Sequence, residues 1–178
     1  MLKRLLCTGV LIAPSALMAA TINAQADATI MPAIQVVQHR PLSFGRLTDL
    51  NGAGGVVHLD EAGLVTPQAA NLHAAQQSAT SAAFNVTGAP NAHYSVVFNQ
   101  PEFDIQRAGG AETMRVHIQF VRFANDPAQY PTVAGALPVG TTDAAGASHF
   151  HTWASLTIAA GQAPGVYTGN YQVTVNYW

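Results

Sequence analysis

The chain has 178 residues, of which 49% are hydrophobic and only 9% are charged, and its formal net charge is −2. This length indicates a single domain. The acidic balance argues against nucleic acid or anionic lipid as a partner, because both require a basic surface. Low charge, together with many small and β-branched residues, favours a packed β-protein over a disordered chain.

The N-terminus has the pattern of a secretory signal peptide over residues 1–20. Lys3 and Arg4 precede an apolar run at residues 5–17, and small residues follow it. The apolar run is too short to span a bilayer, and no other stretch of the sequence is long and apolar enough to do so. No membrane span is therefore expected after signal removal. Cleavage after Ala20 and cleavage after Ala26 both satisfy the small-residue rule.

Removal of the signal changes the chemistry of the chain. Cys7 is the only cysteine, so the mature chain is expected to contain no disulfide even in an oxidising compartment. The loss of the signal's basic residues leaves five arginines and no lysine against nine acidic residues, a formal charge of −4.

Residues 21–32 form a candidate N-terminal arm ahead of the body of the domain. Polar residues occupy the odd positions up to 29, and this alternation predicts an amphipathic extended segment. Cleavage after Ala20 would leave the full arm, a candidate donor strand, whereas cleavage after Ala26 would leave only residues 27–31. The apolar positions are Ile22, Ala24, Ala26, Ala28 and Ile30.

Period-two alternation predicts a series of short strands through residues 33–178, separated by turns rich in Gly, Pro and Asn. Residues 62–82 are weakly patterned and fit either a short helix around 71–77 or an exposed connection. Residues 101–112 and 125–146 are interpreted as loops. The strands are expected at 34–37, 42–47, 56–60, 83–88, 93–99, 114–120 and 149–158.

The last fourteen residues, 165–178, are predicted to form one terminal strand with an apolar face. Polar residues occupy the even positions 168–176 between apolar ones. Seven or eight short strands and no long helix indicate an all-β sandwich. The apolar face contains Tyr167, Tyr171, Val173, Val175 and Tyr177.

No catalytic motif is visible, so no enzymatic activity and no cofactor are expected. The chain lacks a G-x-S-x-G elbow, a Walker loop, H-E-x-x-H and C-x-x-C. His149 and His151 share a strand face with Trp153, and paired imidazoles can chelate copper or zinc. Because structural zinc takes four protein ligands and catalytic zinc three, the row is interpreted as a solvent-facing polar row.

The sequence resembles a family of bacterial secreted domains of unknown function that is related to spore-coat-U and chaperone–usher pilin domains. The resemblance extends over nearly the whole mature chain. It rests on Leu-Ser-Phe-Gly at 42–45, Gly-Gly-Val-Val at 54–57, Phe-Asn-Val-Thr-Gly-Ala-Pro-Asn-Ala at 84–92, Leu-Thr-Ile at 156–158, Ala-Gly-Gln-Ala-Pro-Gly-Val-Tyr-Thr-Gly at 160–169 and Val-Thr-Val-Asn-Tyr at 173–177.

Pilin subunits of this wider group carry a glycine fourteenth from the end and a penultimate tyrosine, which match Gly165 and Tyr177. The resemblance implies an immunoglobulin-like, pilin-like β-sandwich that lacks its final strand. A chaperone fills the gap first, and the N-terminal arm of the next subunit fills it afterwards. Because donor and groove are different surfaces, such contacts build an open filament.

The leading hypothesis is a secreted structural subunit of a pilus-like surface fibre, located at the cell surface, in a fimbrium or in the periplasm. Its partners would be copies of itself or related subunits, with a periplasmic chaperone and an outer-membrane usher. The acceptor side would use Gly165, Tyr167, Tyr171, Val173, Val175 and Tyr177. The alternative is a monomeric secreted module that binds a carbohydrate or a metal through the 125–146 loop and the histidine row.

Overall fold

The computed structural model describes residues 25, 27–133 and 137–178, with the backbone alone at 76 and 77. The predicted signal peptide and the arm residues Ile22, Ala24 and Ala26 lie outside the described residues. The chain divides into two compact units, Met1–Ile30 and Met31–Trp178, and the second unit contains all the described strands.

The described residues form fourteen β-strands, which confirms the all-β class. Their bounds are β1 Gln35–Arg40, β2 Ser43–Asp49, β3 Gly55–Leu59, β4 Val65–Pro67, β5 Leu72–Thr80, β6 Ala82–Thr87, β7 His93–Phe98, β8 Glu102–Arg107, β9 Thr113–Phe123, β10 Tyr130–Pro131, β11 Val139–Thr141, β12 Ala147–Ile158, β13 Tyr167–Thr168 and β14 Val173–Tyr177.

The strands build a sandwich in which one layer is a single sheet and the other is split. The large sheet has nine strands, in the order β1-β6-β12-β9-β8-β13, with β3 beside β12, β4 beside β3 and β10 beside β9. The split layer consists of a three-stranded sheet, β11-β7-β14, and a two-stranded sheet, β2-β5. Every pairing between described strands is antiparallel. This arrangement is consistent with an immunoglobulin-like sandwich.

Each part of the split layer packs on its own apolar cluster. The first cluster joins β2 and β5 to the large sheet, and the second joins β7 and β14 to the same sheet. Leu42 lies between β1 and β2 and packs against both clusters. The first contains Phe44, Val57, Leu59, Val65, Leu72, Val116, Ala154, Leu156 and Ile158. The second contains Ala82, Phe84, Val86, Tyr94, Val96, Val121, Phe123, Phe150 and Val175.

A bulge in β9 reverses the inward-facing positions of that strand. Ile118 pairs with Ala154 whereas Phe120 pairs with Trp153, so Gln119 is an extra residue on β9. The two-residue alternation of the sequence, which places Phe120 on the same face as Ile118, is therefore broken at this point. Instead the Phe120 ring stacks on Trp153 at a centroid distance of 5.7 Å.

Three segments that were not expected to be strands are strands. The 62–82 segment contains β4 and β5, residues 102–107 form β8, and the 125–146 segment contains β10 and β11. The alternation of β5 is interrupted because its register shifts opposite Gly45, so its alanine-rich sequence does not show a clean two-residue period. The predictions of a helix or exposed connection at 62–82 and of loops at 101–112 and 125–146 were wrong for these stretches.

The prediction of one continuous strand at 165–178 was also wrong. Residues 167–168 form β13, which pairs with β8 in the large sheet, whereas residues 173–177 form β14, which pairs with β7 in the other layer. The chain therefore crosses from one layer to the other between Gly169 and Gln172, a change that a period-two pattern does not reveal.

Candidate functional site

The gap in the split layer is an apolar groove of about 800 Å³, here called the groove. One wall is residues 41–48, which include most of β2, and the other is residues 165–169 and 171. Its floor is formed by side chains of β8, β9 and β12. Among the described residues that line it, Arg46 is the one that carries a formal charge. The floor residues are Phe103, Ile105, Met114, Val116 and Leu156.

The floor is incompletely covered. Phe103, Ile105 and Met114 belong to the inner face of the large sheet, yet each is only half-buried, whereas Val116 beside them is 1% exposed. Inner-face apolar residues of a sandwich are normally buried by the opposite sheet. The exposed part of the floor therefore lies where the second layer has no strand.

The strand edge on one side of the gap is unpaired. In the described part of the chain, β2 pairs only with β5, whereas β13 in the other wall pairs with β8 of the large sheet. An unpaired edge presents a row of backbone N–H and C=O groups that can bond to another strand. The groove thus combines an apolar floor with free backbone hydrogen-bonding groups.

Tyr171 occupies the point where the chain crosses between the layers. Its ring stacks on Phe103 at 5.2 Å and on Phe98 at 6.3 Å, and it meets Phe84 edge-on at 6.4 Å. Burial raises the pKa of Tyr171 to about 12, against a small opposing effect of a 3.4 Å hydrogen bond from Gln38. The Tyr171 ring therefore lies between the groove and the second core cluster.

Two glycines in the walls allow a close backbone approach. Gly45 has a φ of +68°, where side chains are strained, and it sits at the register shift between β2 and β5. A Cβ on Gly169 would lie 2.9 Å from the Asp104 carbonyl oxygen and 3.1 Å from the Ile105 Cα. By contrast, a Cβ on Gly165 would meet only the aliphatic side chain of Arg107.

The predicted acceptor residues divide between two places. Gly165, Tyr167 and Tyr171 line the groove. Val175 is buried in the second core cluster and Val173 packs against it. The Tyr177 hydroxyl accepts a hydrogen bond from the Ala89 N–H and donates one to the Pro32 carbonyl.

Two of the five predicted arm residues, Ala28 and Ile30, are described, and both are exposed. The Ile30 side chain is 97% exposed and no ladder includes residues 27–31. Ile22, Ala24 and Ala26 lie outside the described residues. The described part of the arm therefore belongs to no strand and has an apolar side chain in solvent.

The histidine row lies on the outer face of the large sheet. The His149 and His151 rings are 5.7 Å apart, and the Nδ1 of His151 is 3.3 Å from a guanidinium nitrogen of Arg40. Burial lowers the pKa of His151, and the Arg40 charge lowers it further. Within the described ranges no group of three or more His, Cys, Asp or Glu side chains could hold a metal ion.

The floor residues Phe103, Ile105 and Met114 were missed by sequence reasoning. Residues 102–106 alternate strictly between polar and apolar side chains, and this was the available signal for β8. The nearby Gly109 and Gly110 suggested a loop instead. The carboxylates of Glu102 and Asp104 point to the opposite face, where both bind Arg115.

These features define a class of protein: an all-β sandwich domain with a split layer and an apolar, strand-sized groove. The chain belongs to the family described as Domain of unknown function (DUF4402), whose model matches residues 34–177. The matched range contains all the described strands and begins after the predicted arm. A search of curated proteins finds no match. None of the described residues forms a helix long and apolar enough to cross a membrane.

Proposed function

We propose that the protein is a secreted structural subunit of a pilus-like surface fibre, assembled by donor-strand complementation. The observation that carries this proposal is the groove between β2 and residues 165–171. In this proposal, the arm of one subunit fills the groove of another. A periplasmic chaperone would cover the groove before assembly, and an outer-membrane usher would export the subunit.

An inserted strand would pair the free backbone groups beside the groove and would also cover its exposed apolar floor. Its backbone would bond to a free strand edge, and every second side chain would cover the half-buried floor of Phe103, Ile105 and Met114. The same surface left open would favour aggregation through the exposed edges. The groove therefore favours a strand over a compact small molecule as its occupant.

The arm has the pattern that such an occupant requires. Its apolar residues recur every second position from Ile22 to Ile30, and in an extended strand these side chains share one face. The described end of this row, Ala28 and Ile30, is exposed and in no ladder. Of these two described residues, Ile30 gains more from insertion, because nearly all of its larger side chain is in solvent.

The lengths of arm and groove support cleavage after Ala20. At about 3.4 Å per residue, the eight-residue wall 41–48 extends roughly 24 Å. An arm of residues 21–31 would extend roughly 34 Å and fill this length, whereas residues 27–31 would extend only roughly 14 Å. We therefore propose Thr21 as the mature N-terminus of the assembling subunit.

The proposal is tested by the particle size of two purified chains, one starting at Thr21 and the other at Asp27. Light scattering should show multimers for the Thr21 chain and monomers for the Asp27 chain. Ala26→Arg in the longer chain should abolish multimers, because it places a charge on the apolar face of the arm.

The matched control is Asn23→Arg, which places the same charge on the polar face of the arm and should leave assembly intact. Multimers that persist in Ala26→Arg, or that form equally without residues 21–26, would exclude the arm as the donor.

A further inference from the structure

A second concave site, independent of the groove, lies on the outer face of the large sheet. It has a volume of about 510 Å³. The connection between β3 and β4 forms one side, and side chains of β9 and β12 form the base. Its principal lining residues are Asp60, Glu61, Arg122, Gln129, His151 and Trp153.

The cavity contains polar groups that are held in place by the surrounding structure. The Arg122 guanidinium is 2.7 Å from the Glu61 carboxylate. Ser81 is fully buried; its hydroxyl donates to the Glu61 carbonyl and accepts a hydrogen bond from Arg40. These bonds connect the β3–β4 side of the cavity to Arg40 of β1 through the residue between β5 and β6, so its polar groups are preorganised.

His151 presents a defined donor. A guanidinium has no acceptor, so the Nδ1 of His151, 3.3 Å from Arg40, accepts the hydrogen bond. The ring proton of the neutral histidine is then on Nε2, for which no hydrogen-bond partner is found in the described part of the chain. The lowered pKa of His151, caused first by burial and then by Arg40, keeps the ring neutral at pH 7.

One nitrogen of Arg122 is unsatisfied beneath the cavity. Its Nε is buried and has no hydrogen-bond partner among the described residues. Asp60 and Gln129, both exposed, add acceptors, and Gln129 adds further donors. Donors and acceptors therefore meet around one cavity.

The charges around the cavity favour a neutral ligand. The Glu61 and Arg122 charges neutralise each other, and His151 is uncharged. An anion would face the carboxylates of Asp60 and Glu61, while a cation would face the guanidinium of Arg122. Trp153, stacked on Phe120 and 6% exposed, contributes a narrow apolar edge at the base.

We propose that this cavity binds a neutral saccharide. Adjacent hydroxyl groups of a sugar ring donate and accept at once, which matches the mixed donors and acceptors of Asp60, Gln129 and His151. The C–H groups of the ring would lie against the remaining exposed edge of Trp153.

Intrinsic fluorescence provides a direct test, because the chain has two tryptophans and only Trp153 lines the cavity. Trp178→Phe removes the other signal. The mature chain with this substitution is titrated with glucose, galactose, mannose, N-acetylglucosamine and their disaccharides. At least one should produce a saturable change below about 10 mM, where a site with a Kd of about 1 mM is mostly occupied.

Gln129→Ala and His151→Ala should each weaken that binding at least tenfold. Their matched controls, Gln68→Ala and His93→Ala, remove an exposed glutamine and an exposed histidine outside the cavity and should leave the Kd unchanged. Gln129 is exposed, so its variant tests the site even if His151→Ala unfolds. No saturable change with any of the sugars, or equal affinity in Gln129→Ala, would overturn the proposal.

Discussion

The Tyr177 hydroxyl lies 2.8 Å from the carbonyl oxygen of Pro32 and donates a hydrogen bond to it. The Tyr177 hydroxyl oxygen also accepts a hydrogen bond from the Ala89 N–H at 2.6 Å. A Cβ on Gly88 would lie 2.5 Å from this hydroxyl, so the neighbouring turn leaves no space for a side chain. The end of β14 is thereby bonded to the residue at which the predicted arm joins the sandwich.

Tyr177→Phe should lower the free energy of unfolding by about 1–3 kcal/mol, because the Ala89 N–H loses its partner in a partly buried site. Urea unfolding measures this change, and hydrogen exchange should show faster exchange of the Ala89 amide. Trp178→Phe is the control, since that side chain is 72% exposed. Equal stability of Tyr177→Phe and the unsubstituted chain would show that the two hydrogen bonds contribute nothing.

Gly169→Ala should be far more destabilising than Gly165→Ala, although both glycines line the groove. The new Cβ at 169 meets the backbone of Asp104 and Ile105, which cannot move independently of β8. The Cβ at 165 meets only side-chain carbons of Arg107, which can shift without moving any backbone. Denaturant unfolding should give a loss of about 1–3 kcal/mol for Gly169→Ala and less than about 0.5 kcal/mol for Gly165→Ala. A larger loss of stability in Gly165→Ala than in Gly169→Ala would contradict the contacts described for these two glycines.

Stability should fall on mild acidification because of His151. Its pKa is lowered from 6.5 in the folded protein, so the unfolded chain takes up a proton near pH 6.5 while the folded ring remains neutral. The free energy of unfolding therefore decreases as the pH falls through 6.5 toward the folded pKa, by at most about 1.4 kcal/mol per pH unit.

The measurement is urea unfolding at about pH 7.5 and about pH 5.5, a window above the range in which carboxylates with lowered pKa values titrate. His151→Gln should show a smaller decrease than the unsubstituted chain. His93→Gln, at an exposed position, should show the full decrease. An unchanged decrease in His151→Gln would mean that other groups cause it.

Local patterns predicted much of the sandwich because its regular strands show the two-residue period directly. β6, β7 and most of β12 lie where alternation placed them. The two-residue pattern failed where a bulge or a register shift interrupts a strand. The extra Gln119 in β9 turns Phe120 outward, and the register shift opposite Gly45 obscures β5.

The groove could be predicted only in part. Gly165, Tyr167 and Tyr171 were identified from the C-terminal pattern and the resemblance to pilins, and they line one wall. The floor joins β8, β9 and β12, which are distant in sequence, so no local pattern indicates that they meet. The crossing of the chain between layers at Tyr171 depends on aromatic contacts with Phe98 and Phe103, which are likewise non-local.

The central claim is that the arm of one copy occupies the groove of another, and disulfide trapping tests it most directly. The chain has Cys7 alone, within the predicted signal, so a chain starting at Thr21 has no cysteine of its own. Donor chains carry one cysteine at an apolar arm position, Ile22, Ala24, Ala26, Ala28 or Ile30. The acceptor carries Val166→Cys at the groove, and its control carries Val37→Cys, an equally accessible valine outside the groove (69% and 62% exposed).

Under mild oxidation, at least one arm position should give a disulfide-linked dimer with Val166→Cys, and none should do so above background with Val37→Cys. Dimers that form equally with both acceptors, or with neither, would contradict the account.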